Sequence, residues 1–270
     1  IMRQYVVVQG PVATRSGYGN HTRDIVHSLI DMDKYDIEII SLPWGACPMD
    51  ALNSKDKKDQ RIIKRIAKGN INKQPDIFIQ ISVPNEFCLD LRTGKPMQSK
   101  PGKFNIGITA GIETTLVPAE FLQGCNRMDL VIATSEHTKD VIINTAYDRV
   151  NKQTNQKEGE LKCTTPVEVL FEGLDLDKYH KTDKIDESVI TELKSIKESF
   201  CFLYVGHWMK GALGHDRKDV GMMIKTFCET FKNVATHNKP GLVLKTSGAG
   251  FSIMDRDEQL RKIHAICEPY

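Results

Sequence analysis

The feature that most constrains the fold of this chain is a repeated alternation between short apolar runs and amphipathic segments. A helix is predicted over residues 20–31, because Ile25, Val26, Leu29 and Ile30 fall on one of its faces. Strands alternating with helices are typical of parallel α/β units, so the first part of the chain is predicted to be one doubly wound α/β domain. The apolar runs predict strands at 5–8, 37–42, 77–81, 104–108, 130–133 and 167–171, and further helices are predicted at 60–68, 119–127 and 137–147.

The pattern then changes. Residues 147–165 are polar and have neither helical nor strand period, so they are predicted to form a surface loop. The part of the chain after this loop has only two clear strand patterns. Two parallel strands make a marginal sheet on their own, and we therefore expect this second domain to be incomplete in this sequence. The interpretation is two α/β domains, 1–172 and 173–270. In the second domain, helices are predicted at 187–197, 218–234 and 256–267 and strands at 201–205 and 242–246.

Composition narrows the class of protein. The formal net charge of +2 over 270 residues argues against nucleic acid or membrane as the main partner. No apolar run approaches the length of a membrane span, and the chain enters a strand pattern at once without a leader pattern. The seven cysteines include no CxxC pair and no zinc-site spacing, which favours free thiols in a reducing compartment. We expect a cytoplasmic protein without a bound metal.

A glycine-containing loop follows the first strand, in the run QGPVATRSGYGNHTRDI. Gly10, Gly17 and Gly19 would let backbone N–H groups approach a ligand at the carboxyl edge of the sheet. The spacing is not GxGxxG, and turn formation alone explains such glycines equally well. The donors of residues 20–23 at the helix entry favour binding.

A second glycine-containing loop lies in FLYVGHWMKGALGHDRKDVGMMIKTF. Here Arg217 and Lys218 are predicted to open a helix, where the helix dipole disfavours cations unless an anion is present. A diphosphate has a suitable size. The alternative is that both side chains extend into solvent or pair with Asp216 and Asp219, which is usual for an isolated Arg-Lys pair. The position after a strand and a glycine loop favours the anion site.

Polar residues also follow two other strands. Glu113 is either a structural hydrogen-bond acceptor or a reactive carboxylate. For Ser135, the role of helix N-cap is given at least as much weight as contact with a ligand. His137 is predicted to be exposed. No Ser/His/Asp or Cys/His pairing marks His21 or His207 as catalytic.

Taken in order, SGYGNHTRDI, GIETTLVPAEFLQGCNRMDLVIATSEHTKDVI, VLFEGLDLDKY, FLYVGHWMKGALGHDRKDVGMMIKTF and LVLKTSGAG resemble the retaining nucleotide-sugar glycosyltransferases of the GT-B fold, in the broad glycosyl transferase group 1. The resemblance covers nearly the whole chain. It implies two facing Rossmann-like domains, with the acceptor bound by residues 1–172 and the donor mainly by residues 173–270. It implies no cofactor beyond a nucleoside diphosphate sugar as donor.

The resemblance also implies residue roles. Arg217 and Lys218 match the pair that grips the donor diphosphate, and Gly17 and Gly19 match the loop that closes over the donor. Glu113 lies in the E-[ST]-x-x-[LI]-P pattern as ETTLVP. The catalytic candidates are thus Arg217, Lys218 and Glu113, and the donor-binding candidates also include Ser135 and His207.

The chain departs from the family pattern at two places. Phe171 and Glu172 replace the usual Pro-Asn before the hinge run GLDLDKY, in which Asp175 and Asp177 are interpreted as connection residues and not as a metal pair. The later E-x7-E segment has no counterpart before Tyr270, so we expect the sequence to be truncated at its C-terminus.

The implied reaction is transfer of a sugar to a hydroxyl acceptor with retained anomeric configuration and without a metal. Two other functions stay open at this stage, a non-catalytic nucleotide- or phosphate-binding relative and a sugar-nucleotide epimerase. The acceptor, the donor base and the sugar also stay open. Modified DNA bases of viruses are a minority interpretation of the acceptor, because a basic run is more typical of a solvated helix face. That run comprises Lys55, Lys57, Lys58, Arg61, Lys64 and Arg65.

Overall fold

The computed structural model of the chain describes residues 3–90, 93–151, 153–177, 179–208, 213–216, 218–247 and 253–270. The chain divides into two compact units, Ile1–Asp175 and Leu176–Tyr270.

The first unit is built on parallel strands. Its helices are α1 (Gly17–Asp31), α2 (Lys57–Ile63), α3 (Ala119–Cys125) and α4 (Glu136–Asn144), with a short 3-10 turn at Pro84–Glu86. Its strands are β1 (Gln4–Gly10), β2 (Tyr35–Ser41), β3 (Ile77–Ile81), β4 (Leu89–Asp90), β5 (Lys95–Pro96), β6 (Phe104–Thr109), β7 (Leu130–Ala133), β8 (Ala146–Val150), β9 (Lys157–Lys162) and β10 (Val167–Val169).

Six of these strands form one parallel sheet in the order β10-β7-β6-β3-β1-β2. Beyond β2, Ile66 makes a single parallel bridge to Ile39 and extends the order by one residue pair. From β1 the chain moves to one edge of the sheet, and from β3 onward it moves to the other, so the order reverses between β1 and β3. Right-handed crossovers then place α1 and α2 on one face and α3 and α4 on the opposite face. The predicted doubly wound, Rossmann-like α/β fold is confirmed.

The core follows from the composition of the strands. Val6, Val7 and Val8 are each at most 1% exposed, as expected for a central parallel strand that is covered on both faces. One apolar cluster joins β1, β2 and β3 to Val26 of α1 and Ile62 of α2. Another joins β7 and β10 to α3 and α4. The two clusters fix the helices, and thereby the loops that emerge at the carboxyl edge of the sheet.

Two details of the sequence interpretation were wrong. The predicted loop at 147–165 contains an antiparallel hairpin, β8 with β9, whose exposed strands are held by backbone pairing and therefore leave no apolar period. Helix α2 ends at Ile63 and not at 68, because the backbone at Ile66 pairs with β2: Ile39 N donates to Arg65 O at 2.8 Å, and Ala67 N donates to Ile39 O at 2.8 Å.

The second unit contains two parallel strands, β11 (Cys201–His207) and β12 (Gly241–Ser247). Its helices are α5 (Glu187–Leu193), α6 (Val220–Phe231) and α7 (Ile253–Cys267), with a 3-10 turn at Thr236–Asn238. Trp208, Val220 and Ile224 form its buried core. On the face of β11 that these helices leave open, Leu203 and Val205 are 67% and 65% exposed.

Within the part of the chain that the structure describes, each helix is too short or too polar to cross a membrane.

Candidate functional site

The loop at residues 11–16 connects β1 to α1 at the point where the strand order reverses. In open α/β sheets, ligands bind at this point, outside the carboxyl ends of the strands. Thr14 is fully buried, and its hydroxyl donates to Pro11 O at 2.9 Å. The Arg23 guanidinium donates to Val12 O at 2.8 Å and to Thr14 O at 2.9 Å. The loop is therefore tied down from within, and its conformation is set before any ligand arrives.

The two glycines at the start of α1 have different environments. Ser16 caps the helix, since its hydroxyl accepts from Gly19 N at 2.9 Å. A Cβ added at Gly19 would lie 2.3 Å from Thr14 O, whereas a Cβ at Gly17 would meet nothing within 4 Å. Packing therefore explains Gly19. It does not explain Gly17, which lies exposed in the first turn of the helix.

Tyr18, between these glycines, is a site residue that the sequence interpretation missed. Its hydroxyl lies 3.1 Å from Thr109 Oγ1 at the end of β6, and it accepts from Ala110 N at 3.1 Å. Its ring stacks on Trp44 with a centroid distance of 4.2 Å. Burial raises the pKa of Tyr18, so the phenol stays protonated at neutral pH. An aromatic residue placed between two loop glycines is the signal that would have identified it.

His21 was considered in the sequence only as one of the donors at the start of α1, and its partner Glu172 was not predicted. It is 5% exposed, and its Nδ1 lies 3.4 Å from Glu172 Oε1. Its Nε2 is buried and has no hydrogen-bond partner among the described residues. Burial lowers the pKa of His21, and this effect outweighs the opposing attraction of Glu172 and Asp24. The imidazole is therefore neutral at pH 7 and can donate from Nδ1 to Glu172.

The segment after β10 is also held by Asp175. Its carboxylate lies 2.5 Å from Nζ of Lys58 in α2. Glu172 and Asp175 thus attach this segment to both α1 and α2. The engagement of Asp175 with a lysine agrees with its interpretation as a connection residue.

At the ends of β6 and β7 the polar groups contact one another. Thr134 Oγ1 donates to Ala110 O at 2.8 Å, which joins the two loops. Ser135 caps α4: its hydroxyl accepts from Thr138 N at 3.1 Å and donates to Thr138 Oγ1 at 3.0 Å. The capping interpretation of Ser135 therefore has direct geometric support.

Glu113 lies exposed in the loop after β6. The exposed His137 places its Nε2 3.2 Å from Thr114 O in the same loop. Beside this loop is a small apolar crevice, lined by Pro84, Thr109, Gly111, Ile112, Val117, Phe121, Thr138 and Ile142.

In the second unit the start of α6 differs from the expectation. The helix begins at Val220, so Lys218 precedes it and is exposed. Asp216 is 6% exposed, and its carboxylate accepts from Lys218 N at 3.1 Å and from Val220 N at 3.3 Å. An anion does lie at the helix start, and it is this carboxylate of the chain itself. Arg217 and Gly211 lie outside the described residues.

The predicted site residues therefore fall into two groups. Gly17, Gly19 and Ser135 begin helices at the carboxyl edge of the first sheet, with Glu113 in a loop at the same edge. In the second unit, His207 is half-buried at the end of β11, and Lys218 precedes α6.

The basic run around α2 is partly neutralised. Lys58 pairs with Asp175, and Arg61 pairs with Asp31 at 2.5 Å. Arg65 donates to Arg61 O at 2.7 Å, a contact that leaves its charge in place. Across the described ranges, no group of three or more His, Cys, Asp or Glu side chains is placed to hold a metal ion.

The chain matches no protein-family model and no curated protein. Among solved structures it is similar to HepE from Anabaena in complex with UDP-glucose, with 12% identity and a TM-score of 0.49, covering 98% of this chain. The structure of the same protein with UDP and glucose gives the same identity and TM-score and covers 99% of this chain. The chain spans 66% of the length of each.

Proposed function

We propose that this chain is a glycosyltransferase that moves a sugar from a nucleoside diphosphate sugar to a hydroxyl acceptor, with retention and without a metal. One observation carries the proposal. The loops that resemble the family in sequence, around Gly17, Glu113 and Ser135, meet at one edge of a doubly wound sheet, beside its switch point. This is the edge at which such sheets bind nucleotides and related ligands.

The start of α1 suits an anionic or strongly polar ligand. Its first turn contains no acidic residue, so the partial positive charge of the helix N-terminus is not neutralised by a side chain there. The absence of a Cβ at Gly17 lets a ligand approach the backbone closely, whereas the buried Gly19 keeps the loop packed against Thr14. In the proposed enzyme, this preformed loop contacts the donor.

Arg217 and Lys218 are proposed to stabilise the diphosphate as it leaves. Bond cleavage at the anomeric carbon develops negative charge on the departing nucleotide, and fixed cations lower the energy of that state, by several kcal/mol in comparable sites. In a metal-independent reaction they replace the divalent ion. Because the Asp216 carboxylate already accepts from the first N–H group of α6, the side-chain cations carry this task more than the helix terminus does.

Glu113 is proposed to orient the acceptor or the donor sugar. It is exposed in the loop next to the apolar crevice at the end of β6. We give it no role as a general base, and the acceptor is assigned to the first unit as a hydroxyl compound.

The experiment is a thermal-shift panel of UDP-, GDP-, ADP-, CMP- and dTDP-sugars, followed by a transfer assay with the donor that binds. One base class is expected to stabilise the wild type, by about 2.7 kcal/mol when the donor is at roughly a hundred times its Kd. Arg217→Ala/Lys218→Ala should lose this shift. The matched control is Lys225→Ala, which removes a cation from within α6, where it pairs with Glu229 at 3.9 Å.

Binding that survives the double substitution but is lost in Lys225→Ala would contradict the assignment of the cations. A second candidate is a non-catalytic nucleotide- or phosphate-binding relative, which is supported by the first turn of α1, since it contains no acidic residue and suits an anion. Donor binding without sugar transfer would support that candidate. Epimerised free sugar without an acceptor would point instead to an epimerase. For an active transferase, an inverted anomeric product or loss of activity with EDTA would refute retention or metal independence.

A further inference from the structure

Two thiols of the second unit lie in contact. Cys228 Sγ in α6 is 3.8 Å from Cys267 Sγ at the end of α7, although the two residues are 39 positions apart in the chain. Both side chains are half-buried, so a small oxidant in water has access to them. The contact exists only because α6 packs on α7.

The surrounding contacts make this approach of the helices a defined one. The Tyr270 hydroxyl donates to Glu229 Oε1 at 2.8 Å, and Lys232 Nζ lies 5.9 Å from the centre of the Tyr270 ring. Glu229 lies in α6 next to Cys228, and Lys232 follows the last residue of that helix. The sulfur atoms also pack against the apolar cluster of Ile224 and Trp208.

The geometry is close to what a disulfide needs. A bond requires sulfur atoms about 2.05 Å apart, so the two must approach by about 1.7 Å, within the reach of side-chain rotation and a small shift of one backbone. Cys267 is the last residue of α7, where a helix adjusts most easily. From this we infer that Cys228 and Cys267 are an oxidant-sensitive dithiol site, at which peroxide-class oxidants form a disulfide that links α6 to α7.

The chemistry proceeds in two balanced steps. The thiolate of one cysteine attacks a peroxide oxygen, the O–O bond breaks, and hydroxide leaves and is protonated to water, giving a sulfenic acid. The thiolate of the other cysteine then attacks that sulfur, the S–O bond breaks, and a second water leaves. Each sulfur is oxidised by one electron, and one peroxide is reduced to two waters.

Burial, together with the neighbouring thiol, raises the pKa of Cys228. Both sulfur atoms are half-buried and in contact, so either cysteine can make the first attack and the other can resolve it.

The chain offers an internal comparison. Cys125 and Cys163 are also hydrogen-bonded to each other, but Cys125 is fully buried at the end of α3. The thiol of Cys163 also donates to Thr165 O at 3.5 Å. Cys163 is half-buried, and its contact with Cys125 lowers its pKa to about 7, so it holds more thiolate than Cys228. Cys125 is buried and its pKa is raised, so it has little thiolate for a resolving attack. A disulfide between Cys125 and Cys163 should therefore form more slowly than one between Cys228 and Cys267.

The test treats the reduced 270-residue chain with hydrogen peroxide, blocks the remaining thiols, and maps peptides without reduction. The wild type should yield one linked peptide pair, Cys228 with Cys267, which dithiothreitol reverses. Cys47→Ser, in the first unit, should behave like the wild type. Cys228→Ser should form no link and should leave a sulfenic acid on Cys267 that dimedone traps.

Three outcomes would overturn the inference. The first is seven free thiols after a dose that oxidises glutathione in the same tube. The second is a first linked pair that involves any other cysteine. The third is separate sulfinic acids at Cys228 and Cys267 without a link between them.

Discussion

Gly17 and Gly19 offer a test of which glycine serves packing and which serves a ligand. We expect Gly19→Ala to destabilise the first unit and Gly17→Ala to leave its stability unchanged or slightly raised. The two positions lie in the same turn of α1, and they differ in what a methyl group would touch. At Gly19 it would lie 2.3 Å from Thr14 O and 2.7 Å from Thr14 Oγ1, whereas at Gly17 it would meet nothing within 4 Å.

The magnitudes follow from two opposed terms. Replacing Gly by Ala in a helix favours the folded state by about 0.4–1 kcal/mol, because the unfolded chain loses freedom. At Gly19 the added methyl meets a backbone carbonyl, which cannot rotate away, and overpacking of this kind costs about 1–3 kcal/mol. Thr14 is fixed by its bond to Pro11 O and by Arg23, so the loop cannot yield cheaply. The expected net change is a loss of about 1–2 kcal/mol at Gly19 and a gain of up to about 1 kcal/mol at Gly17.

The assay is urea unfolding followed by tryptophan fluorescence. The chain has two tryptophans, Trp44 in the first unit and Trp208 in the core of the second. In a Trp208→Phe background the signal comes from Trp44 alone, which stacks on Tyr18 beside the mutated turn. A shift of the midpoint at constant slope then measures the change in stability of the first unit.

Equal destabilisation by both substitutions would refute the distinction drawn between the two glycines, since no packing reason exists at Gly17. In the proposed enzyme, Gly17→Ala should also weaken donor binding while the unfolding midpoint is preserved. Unchanged donor affinity in that variant would separate the loop from the ligand and would leave turn formation as the role of the glycines.

Four other substitutions or treatments give distinct outcomes. Burial lowers the pKa of His21 in the folded state below its ordinary 6.5. The stability that its neutral form contributes is therefore present above pH 6.5 and is lost as pH falls through the folded pKa. The urea midpoint of His21→Gln should consequently vary less with pH between 7.5 and 5 than that of the wild type. Tyr18→Phe should cost about 1 kcal/mol in the same unfolding assay, because Ala110 N–H and the Thr109 hydroxyl lose their partner. Treatment with peroxide should raise the unfolding free energy of the second unit by about 3–4 kcal/mol, because a disulfide between Cys228 and Cys267 closes a loop of 39 residues in the unfolded chain. Dithiothreitol should reverse this gain in stability. Asp216→Asn keeps an acceptor at the start of α6 and removes a negative charge, so titration should give a donor Kd lower by about two- to five-fold.

The strands of the first sheet were predictable because their chemistry is local. A short continuous run such as residues 5–8 is apolar on both faces, which is typical of a central parallel strand. The ends of the helices were less predictable from the sequence. The amphipathic pattern of α2 continues through Ile66, but the backbone of Ile66 pairs with β2 and does not continue the helix. The hairpin of β8 and β9 left no signal, since both of its faces are largely exposed and its stability comes from backbone hydrogen bonds.

The residues of the candidate site also divide into those that local sequence predicts and those that depend on contacts between distant parts of the chain. Gly17 and Ser135 were found because loop glycines and helix caps have local signatures. The contact between Tyr18 and Thr109 joins residues 91 positions apart, and the contact between His21 and Glu172 spans most of the first unit. Side-chain pairs of this kind depend on which strands are adjacent in the sheet, and a single sequence does not encode that adjacency in any periodic pattern.

Helix α6 begins later in the chain than predicted, and this changes the electrostatics of the proposed anion site. With Lys218 inside the helix, a nearby cation would oppose the helix dipole, and an external anion would be needed to offset it. The helix begins instead at Val220, and the carboxylate of Asp216 accepts from its first N–H group. The dipole is therefore satisfied without a ligand, and the need for an external anion disappears. A diphosphate that binds here must be attracted by Arg217 and Lys218 against one fixed negative charge. Donor affinity should consequently depend more steeply on salt and on these two side chains than affinity at an uncapped helix terminus.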